Sequence, residues 1–240
     1  MDRSHYPTAT ELQLKGVVRT SLDHPDPTPA QIERRERSIQ KLKSMGLPFS
    51  EKLPVVEDAA ELQLRSPPEV ARRCIAIAIC GIKGESDGDE ELVAPLVKKY
   101  GAQASFTPKE TAFIRNRRPP KQELVDYSWQ YECAHVLLWA LGEVEALTPP
   151  HKPCDAASEI TALMAKDPEA FIKNATLRKS EEILDMVDLY YHLDWAAVEM
   201  RVKGRSCDRI DEGVVRERHR ALNWLIRYMN QDWDDVTTDT

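Results

Sequence analysis

Glu132 and His135 are three residues apart in an apolar stretch, where a helix places both side chains on one face. A carboxylate and an imidazole in this register are ligands of di-iron sites in helical bundles. Such a site also needs a second Glu-x-x-His pair and two further glutamates, and the chain contains no second pair. The competing interpretation is a buried Glu132 paired with an arginine, with His135 as its polar neighbour.

Asp185, Asp188 and His192 form a second polar stripe, at positions i, i+3 and i+7 of one helix face. Aspartates and a histidine are ligands for a divalent metal that activates water. The alternative is a polar helix face whose carboxylates bridge to Arg178 and Arg218.

A third cluster surrounds Glu217, which shares a helix face with Trp224, whereas Arg218 faces elsewhere. This divergence favours an intramolecular salt bridge over catalysis for Glu217 or Arg218. The candidate catalytic residues are therefore Glu132, Asp185, Asp188 and Glu217. The candidate binding residues are Arg178, Arg218, Asn223, Trp224, Trp233, Asp234 and Asp239.

Two further patterns of chemically active residues are weaker. His151-x-x-Cys154 is half of a zinc spacing without a matching half. Residues 115–121 form a basic loop that either contacts phosphate or an acidic partner, or is a solvated linker. Nucleotide-binding and acyl-transfer motifs are absent, and each metal-ligand pattern is incomplete, so we expect no cofactor and no metal.

Composition limits the function further. The chain has 240 residues and a net charge of −7, which disfavours general nucleic-acid binding. Five cysteines without CxxC spacing indicate a reduced environment. The N-terminus lacks an apolar signal core and the longest apolar run, 133–141, is far short of a membrane span, so we expect a cytoplasmic protein. The oligomeric state stays open.

Three segments share the same helix-start pattern, at Thr28, Ser66 and Thr107. Each has a hydroxyl at the N-cap, proline next and Glu or Gln three residues on, which predicts a capping box. Gly46 and Gly101 are expected just after helix ends. The expected helices are 29–45, 67–83, 89–100, 108–117, 121–142, 156–166, 168–174, 179–203 and 212–229.

The stretch from Cys133 onward is apolar on nearly all sides, which is typical of a central helix. Core spacing is also expected for Leu184, Val187, Tyr191 and Trp195, and for Val214, Ala221, Leu222, Leu225 and Met229. These patterns predict an all-α fold, a single bundle-like domain over 28–240 with an irregular extension over 1–27.

Several segments resemble the domain-of-unknown-function family 4272, which is mostly bacterial. They include Trp129–Glu132 with Leu137–Gly142, Leu177–Arg178, Glu182–Asp188, Glu217–Arg218, Ala221–Leu225 and Trp233–Thr240. The resemblance runs from about residue 31 to the last residue. It implies a bacterial cytosolic domain without an established activity.

The sequence therefore favours a non-enzymatic interaction or regulatory module, of the immunity or accessory type, with another protein as partner. The alternative is a metal-dependent hydrolase built on Glu132, Asp185, Asp188 and Glu217. Nucleic-acid binding through residues 115–121 is a third hypothesis. We also expect Trp233 and Val236 to pack on the helices, with Arg178, Arg218 and Arg220 as donors to the acidic residues nearby.

Overall fold

The computed structural model describes residues 26–240, and within this range the chain forms helices and no β-strand. The predicted all-α class is confirmed. The extension predicted over 1–27 lies almost wholly outside the described residues, so its boundary stays a prediction. The α-helices, numbered in chain order, are α1 Pro29–Ser44, α2 Pro67–Glu85, α3 Glu90–Tyr100, α4 Pro108–Arg115, α5 Lys121–Trp129, α6 Tyr131–Ala140, α7 Ala156–Ala165, α8 Pro168–Lys173, α9 Ser180–Val202 and α10 Glu212–Leu225.

The helix boundaries follow the local signals in the sequence. Thr28, Ser66 and Thr107 each form the predicted capping box, with proline in the first turn of the helix that follows. Gly46 and Gly101 have φ of 65° and 56°, the left-handed conformation that ends a helix and that glycine adopts without a steric penalty.

The core is centred on α2 and α6. Every residue of α6 is buried, as its nearly uniform apolar sequence predicts. On one side α6 packs against α10, which continues the layer to α9 and then α1. On the other side α2 packs against α5 at Gly84, where a Cβ atom would lie 2.5 Å from the carbonyl oxygen of Leu124. α2 and α5 can approach this closely only because Gly84 has no side chain.

The expected helix over 121–142 is divided at Gln130 into α5 and α6. α10 ends at Leu225 instead of continuing to residue 229, so the core position expected for Met229 is wrong and its side chain is 45% exposed. Tyr191 and Trp195 are half-buried rather than fully buried.

The segment that follows α10 has a strained backbone. Arg227, Met229 and Asn230 have φ of 56°, 52° and 53°. Asparagine adopts the left-handed conformation more readily than other non-glycine residues. For Arg227 and Met229 the same conformation costs about 1–2 kcal/mol per residue. Residues 226–230, termed the hinge, thus hold a conformation that the local sequence does not favour.

None of the helices in residues 26–240 combines the length and apolar character needed to cross a bilayer.

Candidate functional site

Glu132 forms a buried ion pair that joins two central helices. Its Oε2 accepts from Nε of Arg218 at 2.7 Å, and its Oε1 accepts from the backbone N–H of Cys154 at 2.7 Å. Arg218 also donates to the carbonyl oxygen of Thr148 at 2.5 Å and to the hydroxyl of Tyr190 at 2.9 Å. Arg218 is 0% exposed. The carboxylate is fully engaged, which agrees with the pairing expected for a buried Glu132.

His135 lies in the same region and has both ring nitrogens occupied. The backbone N–H of Thr148 donates to Nε2 at 3.1 Å, so Nε2 carries a lone pair and the proton of the neutral ring is on Nδ1. Nδ1 then donates to the Glu159 carboxylate at 2.9 Å. His135 therefore links Thr148 to Glu159 of α7 through its two ring nitrogens.

The side chains of His135, Cys154 and Glu159 are the described group whose ligand atoms lie close enough for a metal, within 4.8 Å of one another. A metal on Nδ1 would displace the proton donated to Glu159 and leave Nε2 still facing the N–H of Thr148. Burial and the neighbouring Glu132 carboxylate raise the pKa of the Cys154 thiol, which disfavours a thiolate ligand. The geometry therefore favours a structural role for this group.

The second stripe is covered by α1. Asp185 accepts from Arg34 and Arg37, at 3.2 Å and 2.6 Å. Asp188 accepts from the hydroxyl of Ser38, and its Oδ2 lies 3.8 Å from Nε2 of His192. Two arginines and a serine of α1 bind the two carboxylates, so the stripe joins α1 to α9.

His192 is fully buried, and neither of its ring nitrogens has a hydrogen-bond partner among the described residues. Burial, with the charge of Arg35, lowers its pKa to about 4 from the ordinary 6.5. Burial raises the pKa of Asp188. Between about pH 4 and pH 6.5, His192 is therefore mostly neutral in the folded chain, whereas it is mostly protonated in the unfolded chain.

This arrangement predicts an acid-sensitive stability. Because the folded pKa of His192 is below its unfolded pKa, its contribution is complete above about pH 6.5 and is lost as the pH falls toward about 4. We expect a loss of about 2 kcal/mol in the free energy of unfolding between pH 7 and pH 5. Urea denaturation at both pH values measures it. The matched variant His192→Leu should show a smaller loss of stability over this pH range, by about the contribution of His192, and an equal slope in both chains would contradict the assignment.

The segment over residues 231–240, termed the docked segment, packs into a groove between α2, α4 and α10. Trp233 is 3% exposed, and its ring meets the edge of Trp224 at 5.4 Å between centroids. The guanidinium of Arg220 lies 4.7 Å from the ring centroid and that of Arg73 lies 5.4 Å from it. The indole thus fills a pocket with two cationic contacts, each a favourable interaction with the ring face.

Hydrogen bonds hold the main chain of the docked segment. Arg220 donates to the carbonyl oxygen of Trp233 at 3.0 Å, and the side-chain amide of Asn223 donates to that of Thr237 at 2.9 Å. Arg65 donates to the carbonyl oxygen of Gln231 at 2.7 Å. Three side chains of the groove therefore bind the backbone of the segment.

Asp234 meets the start of α4. Its carboxylate accepts from the backbone N–H of Lys109 at 3.2 Å, and its carbonyl oxygen accepts from the Lys109 ammonium at 2.8 Å. A carboxylate at a helix N-terminus is stabilised by the unpaired N–H groups and the helix dipole. The groove thus has one position that favours an acidic residue directly after the tryptophan.

The base of the groove is polar and incompletely satisfied. Arg73 and Glu110 form a buried ion pair. Nε of Arg73, Oε1 of Glu110 and Nε1 of Trp233 are buried and have no hydrogen-bond partner among the described residues. Buried polar groups without partners are uncommon and costly. With Trp233 in the pocket, these three polar atoms therefore remain without hydrogen bonds to the described residues.

A protein-family model described as a domain of unknown function, DUF4272, matches residues 34–236. The chain belongs to the DUF4272 family. The matched range includes the groove and the docked segment as far as Val236, the last buried residue of that segment. A search of curated proteins and a search of solved structures each returned no match.

In this DUF4272 chain the candidate binding residues fall into two groups. Asn223, Trp224, Trp233 and Asp234 come together at the groove, and the exposed Asp239 lies at its margin, accepting from the hydroxyl of Thr237. Arg178 and Arg218 lie elsewhere. Their expected contacts with the acidic residues of the docked segment are wrong, since Arg218 binds Glu132 and Arg178 binds backbone carbonyl oxygens and Glu182.

Sequence reasoning missed three residues of the groove, namely Arg65, Arg73 and Lys109. Each lies more than a hundred residues from its contact on the docked segment, and no local pattern marks such a pair. Arg220 was expected as a donor, and it binds Trp233.

Glu217 borders the groove without taking a catalytic position. Its carboxylate lies 3.5 Å from Arg220 and 3.4 Å from the thiol of Cys133. A separate surface cleft of about 360 Å³, lined by Glu143, Lys166 and Phe171 among others, contains none of the candidate residues. The candidate catalytic carboxylates therefore lie at three separate places in the fold. Each is already bound by other groups of the same protein.

Proposed function

We propose that this protein is a non-enzymatic, cytosolic interaction module of a regulatory type, such as an immunity or accessory protein. Its binding element is the groove between α2, α4 and α10. The observation that carries the proposal is the docked segment itself, since the groove holds a stretch of polypeptide, with a turn at residues 233–235, through both its side chains and its backbone. The five free cysteines support a reducing compartment.

The docked segment defines the peptide chemistry that the groove accepts. Trp233 fills the pocket between Arg73 and Arg220, Asp234 binds the start of α4, and Val236 is buried two residues further on. Large aromatic anchors in enclosed pockets carry most of the energy of typical interfaces. The ligand class is therefore a segment with an aromatic residue, an acidic residue next to it and an aliphatic residue three positions after the aromatic one.

The metal-dependent hydrolase finds less support in the geometry. Glu132 is bound to Arg218, Asp185 to Arg34 and Arg37, and Asp188 to Ser38. A water-activating metal needs several ligands around one open position, and the candidate carboxylates do not converge on one.

A synthetic peptide with the sequence of residues 231–240 should bind a full chain in which Trp233→Ala and Val236→Ala have emptied the groove. Wild-type chain should bind it at least tenfold more weakly, because its own segment occupies the groove at an effective concentration of about 1 mM. Fluorescence anisotropy of the labelled peptide measures both affinities.

Two controls locate the binding. A peptide with alanine in place of its tryptophan should not bind, and adding Arg220→Gln to the emptied chain should weaken binding by about tenfold or more. A second emptied chain, Trp233→Ala alone, guards against unfolding of the first, because it removes the anchor and keeps Val236. Equal affinity of the peptide for wild-type and both emptied chains would overturn the proposal.

A further inference from the structure

We propose that the docked segment exchanges between two copies of this chain, so that residues 231–240 of each copy occupy the groove of the other. This inference rests on the proposed function, since it requires the groove to accept the segment from another molecule. The occupant is a second copy, and the device that favours exchange is the hinge over residues 226–230. Exchange of an identical element is a low-cost route to a dimer.

The hinge is short and its backbone is strained. Arg227, Met229 and Asn230 all have positive φ, although none is glycine. In the closed chain this conformation is needed to turn the segment back onto α10. Short hinges under strain favour domain swapping, because the swapped form releases the strain while Trp233, Asp234 and Val236 occupy an equivalent groove.

The sequence pattern favours a different conformation of the hinge, a continued helix. The apolar pattern of α10 continues through Met229 at helical spacing, and residues 226–229 contain no glycine or proline. An α10 extended to residue 229 would place Met229 on the apolar face of that helix and carry residues 231–240 away from their own groove. Met229 is thus exposed in the closed chain because α10 ends before it reaches this residue.

The polar base of the groove adds a second reason for movement. Trp233 Nε1, Arg73 Nε and Glu110 Oε1 are buried without partners among the described residues. The closed chain therefore does not satisfy its own groove, and a segment delivered without the constraint of the hinge can adjust its depth.

Exchange makes quantitative predictions for the full chain. With no strain, the swapped dimer would dissociate near the effective concentration of the segment in its own groove, about 1 mM. A swapped dimer relaxes Arg227 and Met229 in both copies, and each relaxed residue lowers this constant by about tenfold. We therefore expect sedimentation velocity to show a reversible dimer with a dissociation constant at or below the micromolar range.

Hinge variants test the cause. Met229→Gly relaxes the closed form and disfavours the extended helix in both copies, so it should raise the dissociation constant by about a hundredfold. Asn230→Ala does the opposite, because alanine tolerates positive φ less well than asparagine. Met229→Ala is the matched control that removes the exposed side chain and keeps the strain, and it should leave the constant within about twofold.

Mixing two complementary variants tests whether the docked segment exchanges between copies. A Trp233→Ala chain keeps its groove but lacks a competent segment, and an Arg220→Gln/Asn223→Ala chain keeps its segment but has a defective groove. Neither should dimerise alone, whereas a mixture should form a one-to-one heterodimer. Monomers of wild-type and Asn230→Ala at up to about 1 mM, a dimer that Trp233→Ala does not weaken, or one that Met229→Ala weakens as much as Met229→Gly would each overturn the exchange.

The two proposals fail separately. Peptide binding without a hinge-dependent dimer removes the exchange alone. A hinge-dependent dimer without binding of the free peptide leaves the exchange standing and removes the wider role in peptide recognition.

Discussion

Arg218→Met is expected to lower the free energy of unfolding by about 3–5 kcal/mol, because it leaves the buried carboxylate of Glu132 without its cation. The side chain also supplies donors to Thr148 and Tyr190, which would lose their partner. For a chain of this length the change corresponds to a fall of roughly 10 °C in the melting temperature. Urea denaturation and thermal melting measure it.

A double-mutant cycle separates the ion pair from the rest of the network. Glu132→Gln/Arg218→Met should be less destabilised than the sum of the two single variants, since the double variant contains no unpaired charge. Additive effects, or an Arg218→Met chain with the wild-type melting temperature, would show that the pair does not join α6 to α10 as described.

Trp233→Ala should lower the free energy of unfolding by about 3 kcal/mol, as expected for truncation of a buried tryptophan. The loss has an upper limit, because the docked segment detaches once docking becomes unfavourable and the remaining helices keep their own core. Deletion of residues 231–240 should therefore destabilise the chain only slightly more than Trp233→Ala does. Both variants should melt several degrees below wild type.

Asp239→Asn is the matched surface change. Its carboxylate is exposed and accepts from the Thr237 hydroxyl, so the free energy of unfolding should change by no more than about 0.5 kcal/mol. If Trp233→Ala melted like Asp239→Asn, the docked segment would contribute nothing to the folded chain.

Local signals account for what the sequence predicts well. The capping residues Thr28, Ser66 and Thr107 act within one turn of their own helices, and the apolar stretch of α6 has few polar atoms to expose. Such features need no knowledge of the rest of the fold, which is why the helices and the central position of α6 follow from the sequence.

Pairing between distant residues does not follow in the same way. The chain contains 33 basic and 40 acidic residues, so the sequence permits many partners for Glu132, Asp185 or Asp234. Arg218 was among the arginines expected near the acidic residues around Trp233, yet it binds Glu132 because α10 turns that face toward α6. Only the packing of the helices selects one pair.

The end of α10 shows a different limit. Helical spacing from Val214 to Met229 predicts one continuous helix, and the structure ends it at Leu225. Burial of Trp233 and Val236 outweighs the local preference and imposes positive φ on the hinge. For α10, the disagreement between sequence and structure thus lies in the segment whose movement we propose.

Hydrogen exchange tests most directly whether the groove is a peptide-binding site. In the Trp233→Ala/Val236→Ala chain the amide of Lys109 lacks the normally docked Asp234, and the first turn of α4 and residues 217–224 of α10 should exchange faster than in wild type. Addition of the peptide with the sequence of residues 231–240 should restore protection at Lys109 and along α10. Protection elsewhere, or none while the chain remains folded, would contradict the account.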